Sequence, residues 1–177
     1  MADPGPSCSD PSLLEVEVVR RAQDWDRLNV SDATLESAAK AAFAAAVSKT
    51  PERVEAIILL TDDAEMRQLN RNFRGKDAAT NVLSFPAAPL PQAADPSPLG
   101  DIVLAAGTVE REAMAEGIAA ADRATHLVVH GMLHLLGFDH EQDADAERME
   151  ALEAEILAGL GIANPYADIT APQRAEV

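Results

Sequence analysis

The chain contains four histidines, and all of them fall in one stretch, HLVVHGMLHLLGFDH, residues 126–140. Imidazole titrates near neutrality and ligates metals as the neutral ring, so such crowding calls for a chemical reason. On a helix, His126, His130 and His134 stand at i, i+4 and i+8 and form one stripe. Leu127, Val128, Val129, Met132, Leu133, Leu135 and Leu136 surround the same helix on almost every side, which marks it as buried. A buried imidazole without a partner costs roughly 1–3 kcal/mol, so each ring needs something to bind.

His130 and His134 lie about 6 Å apart along the axis and can point at a single ion. Gly137 stands where a left-handed residue would end the helix, leaving enough chain before His140 to turn back and deliver a third ring. The H-x3-H-x5-H spacing, with glycine three residues after the second histidine, matches the tail of the metzincin pattern H-E-x-x-H-x-x-G-x-x-H. Three neutral nitrogen ligands plus an open position make a catalytic zinc site. Zn2+ on His130, His134 and His140 is therefore the expectation, although imidazole accepts other divalent transition metals.

One position departs from that pattern. Gly131 stands where a zinc peptidase carries the glutamate that takes a proton from water, and glycine cannot do so. Peptidase chemistry is thereby disfavoured. A mid-helix glycine costs about 1 kcal/mol relative to alanine, and one reason to keep it is room for a substrate group or a neighbouring backbone. His126 is poorly aimed at the shared ion, because i+4 steps drift by about 40° each. It is left with a supporting or packed role, or with substrate contact. Asp139 and Glu141 flank His140; either can orient a ligand ring from behind, and turn-forming or solvated roles are open to them too.

A second constellation is LNRNFRGKDAATNVLSFP, residues 69–86. Arg67, Arg71, Arg74 and Lys76 gather four of the fourteen cations of the chain within ten residues. Arg74 and Lys76 flank Gly75, and cations beside a flexible glycine can clamp a phosphate, arginine in bidentate fashion. The competing reading is an ordinary charged loop. Arg71, Lys76, Asn81 and Ser84 are the further candidates for substrate contact. Residues 139–155 carry the opposite charge, eight acids including Glu147, Glu150, Glu153 and Glu155 against Arg148 alone, and read as a solvated helix face.

The elements that must position these residues follow from periodicity. LLEVEVVR (13–20), VEAIILL (54–60), NVLSFP (81–86) and DIVLAA (101–106) read as strands. SDATLESAAKAAFAAAVSK (31–49), capped by Ser31 or Asp32, reads as a helix, and Asp62 with Glu65 opens another through about Asn72. Helices are expected again at about 108–119, 123–136 and 144–159, and the proline-rich PAAPLPQAADPSPLG is expected as a surface loop. The order implies one α+β domain, a mixed sheet of about four strands packed with about five helices, its metal site on a central buried helix. The domain is expected over residues 13–166, between flexible tails at 1–12 and 167–177.

The net charge of −16 exceeds the magnitude of about 2–8 usual for a small domain and opposes broad non-specific nucleic-acid binding. The single cysteine, Cys8, excludes an internal disulfide and a cysteine-based zinc site. No secretory leader, membrane partner or DNA partner is expected, and a cytoplasmic location fits.

Taken together, LNRNFRGKDAATNVLSFP, GDIVLA and HGMLHLLGFDH resemble the YbeY family of bacterial rRNA maturation factors over about residues 50–166, including the downstream AERMEALEAEIL. The signature H-G-x-L-H-L-x-G-Y-D-H is met at every defined position except one, where Phe138 replaces tyrosine and removes a hydroxyl but no ligand. The resemblance implies His130, His134 and His140 as ligands and Arg74 as the functional arginine facing the metal cleft. It also implies metal-dependent endoribonuclease action on single-stranded RNA, in maturation of the 16S rRNA 3′ end and in ribosome quality control. With so acidic a chain, binding while docked on the small ribosomal subunit and its proteins is the expectation. Attack by an acidified water, with Arg74 stabilising the transition state, and attack by the 2′-hydroxyl of the RNA both stay open. So do two other classes, a metallopeptidase or small-molecule metallohydrolase, and a non-catalytic ribosome assembly factor with structural zinc.

Overall fold

The computed structural model describes residues 11–47, 53–88, 94–138 and 143–167. Four strands form one mixed sheet: β1 (Leu14–Arg20), β2 (Val54–Thr61), β3 (Val82–Pro86) and β4 (Ser97–Ala105), in the spatial order β1-β2-β4-β3. β1, β2 and β4 are parallel, and β3 closes the far edge antiparallel to β4. Among the described residues, six α-helices accompany the sheet: α1 (Asp24–Arg27), α2 (Asp32–Ala46), α3 (Asp63–Arg74), α4 (Ala106–Glu116), α5 (Ala120–Leu135) and α6 (Asp143–Gly159). The α+β class, the single domain and the mixed four-stranded sheet are as expected.

Strand alternation divides the core between the two faces. Ile58, Leu60, Ile102 and Leu104 face α2, α5 and α6 in the main core, with Leu35, Phe43, Met132 and Leu133 opposite. Val103 and Ala105 point the other way and join Met66 of α3 and Leu83 in a smaller cluster. Local chemistry sets the helix starts: Ser31 accepts from the Thr34 amide at 3.1 Å to cap α2, and Asp62 accepts from the Glu65 amide at 2.8 Å to cap α3. Each such cap is worth about 1 kcal/mol. Asp63 then ties α3 to α4, accepting from the Thr108 amide and from Arg111, both at 2.9 Å.

Three expectations need correction. One helix more than expected is present, because the single turn α1 was invisible to periodicity; it forms where Trp25 is fully buried and donates its indole N–H to the Thr61 carbonyl at 2.9 Å. Residues 97–100, read as surface loop for their prolines, begin β4. Pro98 is accommodated opposite Glu55, where the register shifts before Ala56. Residues 11–13, partly assigned to the tail, form a 3-10 turn leading into β1. Cys8, Asp139, His140, Glu141 and all but the first residue of the expected C-terminal tail lie outside the described residues. No helix among the described residues is long and apolar enough to cross a membrane.

Candidate metal centre and cleft

The apolar encirclement of α5 is realised: Leu127, Val128, Val129, Met132, Leu133 and Leu135 are all buried. His130 and His134 emerge from this core at one edge, with their Nε2 atoms 3.0 Å apart. Their other nitrogens are fixed from behind. His134 Nδ1 donates to the Phe138 carbonyl at 3.0 Å, and His130 Nδ1 donates to Glu153 Oε1 at 2.7 Å. A carbonyl can only accept, and so can an ionised carboxylate; both rings therefore carry a proton on Nδ1, which leaves Nε2 as the nitrogen each can offer to a metal.

Two ring nitrogens this close need a positive centre between or before them, either a proton or a metal ion. A tetrahedral zinc with bonds of about 2.0–2.1 Å holds two nitrogens about 3.3 Å apart, close to the separation seen. The donor set therefore fits a divalent transition metal. His140, the expected third ligand, lies outside the described residues, and among the described residues no group of three His, Cys, Asp or Glu side chains is placed to hold an ion.

Asp145, Glu147, Glu150 and Glu155 are exposed, as a solvated acidic face should be, but Glu153 on the same helix is fully buried. Besides His130, it accepts from His126 Nε2 at 3.1 Å and from the Tyr166 hydroxyl. Burial pushes its carboxyl upward, but the hydrogen bonds from His126 and His130, the His130 charge and the Tyr166 hydroxyl outweigh that and hold it at about 2. Burial and the adjoining carboxylate push the Tyr166 hydroxyl well above the ordinary phenol range. His126 thus shares a carboxylate with His130, and its Nδ1 meets Arg123 at 3.4 Å. Arg123 grips Glu112 at 2.7 and 3.0 Å, and Glu112 accepts from the Asn81 amide at 3.0 and 3.1 Å. One polar chain therefore runs from the foot of β3 through α4 and α5 to the buried carboxylate of α6.

The end of α5 is a glycine turn. Gly137 has φ +91°, its N–H reaches the His134 carbonyl at 3.0 Å, and the Phe138 N–H reaches the Leu133 carbonyl at 3.0 Å. This paired 5→2 and 6→1 pattern is a Schellman motif, here ending a helix on its own ligand residue.

Part of the basic constellation shares a cleft with the histidines. A cleft of about 680 Å³ is lined by Asn70, Arg74 and Lys76 on one wall, Asn81 and Ser84 along β3, and His130, His134, Gly137 and Phe138 on the other wall. The loop carrying the cations is held in place. Gly75, at φ +69°, ends α3; Asn70 donates to the Ala78 carbonyl at 2.7 Å, and Arg67 forms a two-bond pair with Asp77 at 2.8 and 2.9 Å. Arg67 is thereby engaged, and Arg71 is not among the residues that line the cleft. Asn81 lines the cleft with its amide committed to Glu112, and the Ser84 hydroxyl donates to the Gly131 carbonyl at 3.3 Å.

Gly131 is also reinterpreted. A Cβ there would lie 2.9 Å from Ile102 Cγ2 and 3.0 Å from Ser84 Oγ, so the missing side chain makes room for the sheet and not for substrate.

A sequence model of the family Endoribonuclease YbeY matches residues 21–161. The chain belongs to the YbeY family. Among proteins named Endoribonuclease YbeY, that of Azorhizobium caulinodans is 52% identical over 154 residues, covering 87% of this chain and 97% of its own. That of Parvibaculum lavamentivorans is 48% identical over 166 residues, covering 89% and 88%, and that of Dinoroseobacter shibae is 48% identical over 170 residues, covering 89% and 93%. The solution structure of TM1509 from Thermotoga maritima is 20% identical, with a TM-score of 0.48 over 92% of this chain.

Within the YbeY signature, the departure at Phe138 leaves the contact to His134 intact, because the acceptor is the backbone carbonyl. Glu153 was missed in the sequence, and a signal for it exists. It lies on the stripe of Met149, Ile156 and Leu157, all buried, where a lone carboxylate among core positions asks for a partner.

Proposed function

We propose that this chain is a metal-dependent endoribonuclease that cuts single-stranded RNA, with the 3′ end of 16S rRNA as its target in ribosome maturation and quality control. The reading rests on one observation: a single cleft is lined by two metal-type histidines on one wall and by Arg74 and Lys76 on the other. Family membership supports it. His130 and His134, joined by His140, would hold one divalent ion, with zinc the first candidate. When bound, such an ion supplies Lewis acidity that acidifies water and polarises a phosphoryl oxygen.

The residues of the chain do the rest. Glu153 and the Phe138 carbonyl keep the ring protons on Nδ1, so both Nε2 atoms remain ligands. Arg74 presents a planar fork across the cleft, suited to a phosphodiester whose negative charge grows in the transition state. Lys76 adds charge on the same wall. Peptidase chemistry loses its base for a packing reason, since Ile102 and Ser84 already occupy the space beside residue 131. The acidity of the chain outside this loop favours action on a docked ribosomal particle, in the cytoplasm, over capture of free RNA.

The test is cleavage of a single-stranded RNA carrying the 16S 3′-end sequence by wild type, His134→Ala and Arg74→Glu, each assayed for bound ion. Cleavage by the wild type, joint loss of ion and cleavage in His134→Ala, and loss of cleavage alone in Arg74→Glu are expected. Equal cleavage by all three, or none from ion-loaded wild type, would remove direct catalysis and leave a non-catalytic assembly role.

A further inference from the structure

Phe73 stands out among the large apolar side chains. Most others are buried, yet Phe73 is 65% exposed in the last turn of α3. A scattered surface hydrophobe needs no explanation. Three features set this one apart. Its ring is braced by Phe85 of β3, with centroids 5.0 Å apart and the rings at 62°, so its orientation is settled before anything binds. It is surrounded in sequence by Arg71, Arg74 and Lys76, none of which forms a salt bridge among the described residues, in a chain of net charge −16. And it is next in sequence to the cleft: Phe73 and Phe85 are not among the lining residues, but Arg74, which follows Phe73 directly, is.

We infer that Phe73 is a stacking platform for one unpaired RNA base, held beside the phosphate that Arg74 grips; this rests on the endoribonuclease reading above. A pre-oriented aromatic among cations is the recurring device for single strands, because every base offers a π face while the phosphates need positive charge. A duplex hides its base faces and gains nothing from such a ring. The platform therefore explains a preference for single strands that the histidines and Arg74, which meet only phosphate, cannot supply. The local positive charge argues for a nucleic acid over an apolar segment of a partner protein.

The full chain would be titrated at low salt against a fluorescein-labelled single-stranded RNA, the same strand with abasic riboses at its centre, and the duplex. Wild type, Phe73→Leu and Phe73→Tyr are compared by anisotropy, with circular dichroism to check folding. Phe73→Leu should weaken single-strand binding roughly 5- to 100-fold and Phe73→Tyr should stay within about 2-fold, while the abasic strand should bind wild type and Phe73→Leu alike. Phe73→Trp supplies a second reading, since the native tryptophan, Trp25, is fully buried: single strands should quench the new fluorophore and the duplex should not. Wild-type affinity in Phe73→Leu, equal losses on normal and abasic strands, or no quenching would each overturn this inference alone. Failure of the wild type to bind single strands even at the lowest salt would likewise overturn this inference, whereas the endoribonuclease reading falls separately, on absence of cleavage by the ion-loaded wild type.

Discussion

The two walls of the cleft are built on opposite principles. The histidine wall is internal: His126 and His130 converge on Glu153, which is fully buried, and His134 is held from behind by the Phe138 carbonyl. The basic wall is external: Arg74, Gly75 and Lys76 are exposed, and a capping glycine, one buried amide and one surface ion pair hold the loop. A buried polar network fixes geometry to fractions of an ångström but makes position and stability inseparable. A pinned surface loop leaves its cations hydrated and free to meet a ligand, at little cost to the fold. The comparison teaches that substitutions on the first wall should read out as stability and ion binding together, and those on the second as substrate handling.

The largest expected effect is at Glu153. Glu153→Ala strips the acceptor from His126, His130 and Tyr166 and should cost about 3–5 kcal/mol in urea unfolding, the scale for breaking a buried ionic partnership. Ion affinity should fall 10- to 100-fold by competition with a chelator, the range for loss of an orienting partner. Glu153→Gln retains one acceptor oxygen and should sit between. The sign of the pH effect follows: the folded carboxyl, at about 2, lies below its ordinary 4.5, so its stabilisation is full above 4.5 and is lost as pH falls towards 2. Glu153→Gln should flatten that part of the acid-unfolding curve.

Gly131→Ala comes next. Its methyl must displace the branched Ile102, and overpacking of this kind costs about 1–3 kcal/mol by the same unfolding measurement. A neutral outcome would mean that α5 rides more loosely on the sheet than its contacts imply. On the basic wall, Asn70→Ala removes the bond to the Ala78 carbonyl and should cost about 1 kcal/mol while slowing RNA cleavage more than that figure suggests. Smallest is Arg67→Ala. Melting temperature should not move measurably, yet cleavage should slow at unchanged ion content, because the loop carrying Lys76 loses its tie to Asp77. If Arg67→Ala lowered ion affinity as Glu153→Ala does, the contrast between the walls would collapse.

Much of this was legible in the sequence, for identifiable reasons. The strands, the caps at Ser31 and Asp62, and the buried α5 announce themselves through local periodicity and local hydrogen bonding. The histidine spacing and the cation cluster are local patterns too, which is why their residue types could be read before their meeting in one cleft was visible. What stayed hidden is non-local. That Gly131 faces Ile102, and that His126 and His130 share one carboxylate, depend on elements distant in the chain. The one-turn α1 escaped because a buried tryptophan, not a repeat, creates it.

The turn after α5 has a consequence for how this site can drift in evolution. The acceptor that fixes His134 is the peptide oxygen of residue 138, carried there by the helix-ending turn and not by any side chain. No substitution at that position can delete it, so the side chain is released from duty and can vary, as an exchange of tyrosine for phenylalanine illustrates. The constraint has moved one residue upstream. At Gly137, with φ +91°, nearly every replacement would disturb the turn, and the aim of a ligand ring is inherited from a residue that has no side chain at all.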